Sequence, residues 1–99
     1  MLNLDSDFEL GNVVVTEAVA VKMNDDNNFR AFIYMSLGRY THRDWGEMDE
    51  GDKEANDDAV LSGEDRIFAS YKRPESDEKI WIITEWDHSV TTILFPEDY

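Results

Sequence analysis

Carboxylates dominate the side chains of this sequence that could do chemistry. Between Asp44 and Asp65 there are ten (Asp44, Glu47, Asp49, Glu50, Asp52, Glu54, Asp57, Asp58, Glu64, Asp65) against one cation, Lys53, so this stretch holds −9 of the chain's formal −14. On a helix, Glu50, Glu54 and Asp58 recur at i+4 with Cβ atoms about 5–6 Å apart, where like charges destabilise by a few tenths of a kcal/mol per pair. Stability alone does not favour such a concentration, although a solubilising face is its commonest use. Asp49-Glu50-Gly51-Asp52 fails as an EF-hand, because Gly51 at the sixth position puts Gly46 and Met48 where ligands belong. A second group, Glu85, Asp87 and His88, joined by His42, has the residue types of a two-histidine, one-carboxylate metal site. No spacing brings the histidines together, and a polar turn is what any hairpin requires. Ser89, Thr91 and Thr92 become nucleophiles only with a base in hydrogen-bond reach, and they read more simply as strand formers. His42-Arg43-Asp44 copies a kinase tripeptide without the glycine-rich loop, strand lysine and Asp-Phe-Gly that give it meaning.

The balance of 9 Lys and Arg against 23 Asp and Glu repels phosphate backbones and anionic membranes. Disorder is excluded by 41% hydrophobic and 12% aromatic residues. Ninety-nine residues make one domain, 1–99, with a single modest core. Without cysteine there is no disulfide, thiolate nucleophile or Cys-rich zinc site, and packing alone must stabilise the fold. Met1 to Asp5 has neither a basic nor an apolar signal region, and the expected setting is the cytoplasm.

The elements that must position these groups follow from periodicity. Residues 1–9 have no period and read as a flexible arm. Gly11-Asn12 is turn chemistry, and Val13-Val14-Val15 reads as a strand of the kind buried on both faces. Thr16 then caps a short helix through Ala18, Val19, Ala20 and Met23, with a continued strand as the competing reading. Phe29, Phe32, Ile33, Ser36, Leu37 and Tyr40 lie on one face of a 3.6-residue helix. Asp44-Trp45-Gly46 is expected to cap the following acidic helix and set its indole on the core. That helix spans about Asp49 to Ser62, with a stripe of Met48, Ala55, Ala59, Val60 and Leu61, and stops at Gly63. Three strands follow, Arg66 to Tyr71, Lys79 to Thr84 and Ser89 to Phe95, joined by a Pro74 loop and the Glu85-Trp86-Asp87-His88 turn. Trp81 is placed in the core, since alternate residues of Ile80 to Ile83 are apolar on both faces. The class is α+β, a helical layer packed on a small antiparallel β-meander, in the order β-α-α-α-β-β-β.

Several segments occur together in one order: Asp44-Trp45-Gly46, Glu54-Ala55-Asn56-Asp57, Arg66 to Tyr71, Ile80 to Glu85, Ser89, Thr91 to Leu94 and Pro96 to Tyr99. From His42 onward they resemble a family of short proteins from bacterial plasmids and other mobile elements, labelled plasmid-related protein or type I restriction endonuclease subunit M. Two positions depart from that pattern: Arg43 stands where the family has Gly, and His88 where it has Arg. The resemblance implies a mobile-element context. The methyltransferase label fails physically, because there is no Pro-Pro segment to seat a base and the chain is too short for a doubly wound sheet.

The leading expectation is a non-enzymatic interaction protein whose acidic face (Asp49, Glu50, Glu54, Asp57, Asp58) meets a basic surface on a partner protein. A sharper version has carboxylates at about 6 Å intervals imitating a nucleic-acid strand in the channel of a host nuclease or restriction complex. The rivals are a small metal-dependent hydrolase using Glu85, Asp87 and His88, and a homo-oligomeric module pairing through an open sheet edge. No cofactor, direct nucleic-acid contact or membrane is expected.

Overall fold

The computed structural model describes residues 6–99. Its elements are β1 (Asn12–Val15), α1 (Glu17–Asp25), α2 (Asn27–Thr41), α3 (Glu50–Ser62), β2 (Ile67–Lys72), β3 (Lys79–Thr84) and β4 (Val90–Leu94), closed by a 3-10 turn at Pro96–Asp98. Class and order are those expected from the sequence. The sheet order is β1-β4-β3-β2, in which β2, β3 and β4 form the antiparallel meander and β1 joins β4 in parallel. The sheet is therefore mixed.

One face of the sheet takes the helices. Ile67, Ala69, Tyr71, Ile80, Ile82 and Ile93 alternate onto it, each at most 1% exposed, and form one core cluster with Val19 from α1 and Phe29, Phe32, Ile33, Leu37 and Tyr40 of α2, whose sixth periodic residue, Ser36, is also buried. Thr16 caps α1 by accepting from the Val19 N–H, and Asp26 caps α2 by accepting from Asn28 and Phe29. The opposite face is only partly covered. Trp81 lies there, half-buried against Phe68 at 4.9 Å and Tyr99 at 5.8 Å between ring centres, so it is not part of the helix-packed core.

Val13, Val14 and Val15 are 37, 44 and 36% exposed, which corrects the expectation of a strand buried on both faces. β1 is an edge strand. The arm reading also changes: residues 1–5 lie outside the described residues, but Asp7 donates its N–H to Thr41, Phe8 packs edge-on to Tyr40 at 5.4 Å, and Leu10 is buried. Gly11 has a φ of 65°, and a Cβ there would stand 2.2 Å from the Ser89 carbonyl oxygen, so this contact demands glycine.

A chain of buried hydroxyls links these layers. Thr91 donates to the Leu10 carbonyl at 2.7 Å, Thr84 and Thr91 are 2.8 Å apart, and Tyr40 and Thr84 are 2.6 Å apart. The carbonyl can only accept, which fixes the direction: Tyr40 donates to Thr84, Thr84 to Thr91, and Thr91 to Leu10. Burial holds the Tyr40 phenol far above its ordinary pKa, so it remains a donor. Thr91→Val leaves the Leu10 carbonyl and one hydroxyl proton unmet, whereas Tyr40→Phe leaves only a spare acceptor on Thr84. Thr91→Val should therefore cost about 2–3 kcal/mol and Tyr40→Phe about 1 kcal/mol in urea unfolding. Equal costs would contradict the fixed direction.

Candidate functional site

The acidic helix is held by a clamp that its apolar residues do not predict. Asn56, 5% exposed, donates from Nδ2 to the Phe68 carbonyl at 2.7 Å and accepts the Phe68 N–H on Oδ1 at 3.2 Å. One amide thus pairs with both outward backbone groups of an edge residue, as another strand would. Two residues on, the Ser70 carbonyl accepts from Glu47 N–H and the Ser70 N–H reaches the Trp45 carbonyl. Gly46 bridges Ser70 there with a φ of 74°, and a Cβ would meet the Ser70 oxygen at 2.1 Å. The β2 edge is sealed at two successive outward positions.

These contacts set the rotation of α3. Asn56 and Ala59 face the sheet, while Ala55 and Leu61, expected in the apolar stripe, are exposed, Leu61 at 81%. Asp49 is the N-cap, accepting from Asp52 N–H at 2.8 Å, and Gly63 closes the helix in the left-handed region. Asp44 does not cap α3. It holds Arg39 through Nε at 2.8 Å and Nη2 at 3.1 Å, and the guanidinium keeps the Asp44 carboxyl below its usual range. Trp45 is in the core as expected, and its indole N–H donates to Asp57 at 3.0 Å. Of the five candidate residues, Asp49 and Asp57 thus have structural bonds. Glu50, Glu54 and Asp58 form the outward stripe; among the described residues only Glu50 meets a cation, Lys53 at 3.7 Å.

The Glu85, Asp87 and His88 turn is built differently. Asp87 accepts from both the backbone and the hydroxyl of Ser89, which lowers its pKa and makes an Asx turn. His88 is buried, with a φ of 56°, and its Nε2 donates to the Asp65 carbonyl at 3.3 Å. That bond ties this turn to the loop entering β2. His42 is turned instead to Asp7 at 3.5 Å. Among the described residues no three His, Asp or Glu side chains gather as a metal-holding group. Thr91 is consumed by the hydroxyl chain and Ser89 by Asp87.

A pocket of about 350 Å³ opens between α2 and the end of β2, with Phe32, Met35 and Pro74 as apolar lining and Arg39 and Arg73 at its rim. Its guanidiniums are already neutralised. Arg39 is paired with Asp44, and Arg73 bonds both Asp26 at 3.3 Å and Glu78 at 3.1 Å, with Lys22 also on Glu78. No described helix is long and apolar enough to cross a membrane. No protein family, curated protein or solved structure matches the chain.

The Arg73 cluster joins the α1–α2 junction to the β2–β3 hairpin and predicts an acid response. The Phe29 N–H, with Arg73, holds Asp26 below its ordinary pKa; at Glu78, burial pulls upward and Lys22 and Arg73 outweigh it. Depressed folded values give stability that is present above about pH 4 and lost as pH falls through them. Asp26→Asn keeps an oxygen for the helix cap but cannot titrate. Its thermal midpoint should fall less than the wild type's between about pH 5 and about pH 2.5, and parallel curves would show that Asp26 contributes nothing.

Proposed function

We propose that the chain is a non-enzymatic interaction protein that presents the outward face of α3 to a basic surface on a partner protein. The observation that carries this reading is the fixed stripe of Glu50, Glu54 and Asp58, held outward by Asn56 and almost without counter-charge. Four residues of helix rise about 6 Å, so these carboxylates repeat at the regular interval that a mimic of a nucleic-acid strand requires. Leu61, exposed in line with them, adds an apolar contact at the helix end. Basic protein channels that accept a nucleic-acid backbone fit this stripe in sign and spacing, and electrostatic complementarity of this kind acts chiefly on association rate and selectivity.

The mobile-element resemblance of the segment from His42 onward supplies a context for this reading: a small acidic protein that occupies the channel of a host nuclease or restriction complex. The Asp44-Trp45-Gly46 segment common to the pattern seals the β2 edge and anchors α3 through the indole, so its contribution is to orient the stripe. His88, where the pattern has Arg, is buried against Asp65 and lies away from any solvent-facing role.

The test is Glu54→Lys with Asp58→Lys, which avoids the bonded Asp49 and Asp57. The fold should be retained or steadied by a few tenths of a kcal/mol as i+4 repulsion is relieved. Capture of basic partners from a bacterial lysate should fall about tenfold. Capture by the wild type should also weaken as ionic strength rises from about 0.05 to about 0.5 M, where the Debye length shrinks to about 4 Å. Retention of every partner by the folded double variant at low salt would refute the proposal.

A further inference from the structure

The two edges of the sheet are treated differently. The β2 edge is closed at Phe68 and Ser70 by Asn56 and by the Trp45–Glu47 segment. The β1 edge has no such cover among the described residues. Asn12 and Thr16 turn their N–H groups to Ser89 and Ile93 of the β4 side, so by alternation Val13 and Val15 turn theirs outward. Among the described residues, two N–H and two C=O groups therefore have no partner along a strand whose three valines are all exposed. Natural edges are blunted with charge, proline or a bulge. β1 is kept short, at four residues, but has none of these three devices, and from Gly11 to Thr16 there is no charged residue in a chain of net charge −14.

We infer that β1 is a self-association edge, whose occupant is β1 of a second copy running antiparallel. The register follows from the outward groups. Val13 pairs with the second copy's Val15 and Val15 with its Val13, each pair exchanging two N–H···O bonds, while Val14 meets Val14 on the two-fold axis. Glu17 then falls opposite Gly11, so no two carboxylates are directly opposed. A second copy fits better than a longer array because the sealed β2 edge stops growth, and the assembly closes as a dimer with one eight-stranded sheet. The uncharged strip is also the surface on which two copies of −14 can approach with least repulsion. Three residues of new pairing make a small, transient interface.

Sedimentation equilibrium of the full chain tests this. The mass should rise from 11.5 kDa toward twice that value between about 10 µM and about 1 mM. Association should strengthen with salt as charge repulsion is screened, the opposite sign to capture of a basic partner by α3, so the two proposals fail separately. Val13→Pro removes an outward N–H that the monomer does not use, and should stay at 11.5 kDa at every concentration with an unchanged helical spectrum. Should that variant not fold, Val14→Lys, at an exposed position on the axis, is expected to show the same loss of dimer. A wild type fixed at 11.5 kDa up to about 1 mM overturns the inference. So does a dimer that survives both substitutions, or one that dissociates as salt is added.

Discussion

The amide of Asn56 on the backbone of Phe68 is the contact that orients the acidic helix and closes one edge of the sheet. A buried side-chain amide has two donors and two acceptor sites, and an edge-strand residue offers one N–H and one C=O in the same spacing, so the pair satisfies both partners at once. The bond fixes the azimuth of α3 more firmly than apolar packing does, since only Ala59 shares the inner face as a fully buried apolar residue. With Asn56 turned in, Glu50, Glu54 and Asp58 must turn out. The same bond closes the β2 edge, which leaves β1 as the strand whose outward backbone groups lack partners among the described residues.

The rest of the fold is organised around the buried hydroxyls of Tyr40, Thr84 and Thr91. Polar groups at these depths are costly unless satisfied, and the chain ending on the Leu10 carbonyl satisfies all three. It also explains why the segment before β1 lies where it does. Leu10 must reach Thr91, Gly11 must pass within contact of the His88–Ser89 backbone, and β1 is thereby delivered parallel to β4. Buried Leu10 and the packing of Phe8 on Tyr40 hold the same segment, whereas β1 itself buries little of its own surface.

Much of the architecture is legible in the sequence. The α2 face from Phe29 to Tyr40, the Thr16 cap, the Gly63 stop and the three-strand meander follow from periodicity and turn chemistry, because each is a local rule confirmed by its own packing. What was not legible is long-range. A valine triplet reads as a buried strand, and nothing in it reveals that only one neighbour, β4, will be present. Asn56 inside Glu54-Ala55-Asn56-Asp57 reads as one more polar residue of a solvated helix, and only the Phe68 backbone twelve residues on makes it the inward one. Ala55 and Leu61 read as inner-stripe residues for the same reason, yet both are exposed. Trp81 reads as core because both faces of β3 are apolar, but it lies on the outer face, half-buried against Phe68 and Tyr99. Asp49, Glu50, Glu54, Asp57 and Asp58 read as one charged set in the sequence, and only the Trp45 and Asp52 bonds divide them into structural and outward members.

Amide hydrogen exchange at Phe68 tests the central claim most directly. Its N–H faces away from β3, so without Asn56 it would meet solvent, whereas Ala69 next to it is bonded into the ladder. The account predicts that Phe68 is protected nearly as well as Ala69 in the native chain, and that Asn56→Ala raises the exchange rate of Phe68 relative to Ala69. A Phe68 amide that exchanges freely in the native chain, or whose ratio to Ala69 is unmoved by Asn56→Ala, would contradict the clamp and with it the fixed orientation of the acidic stripe.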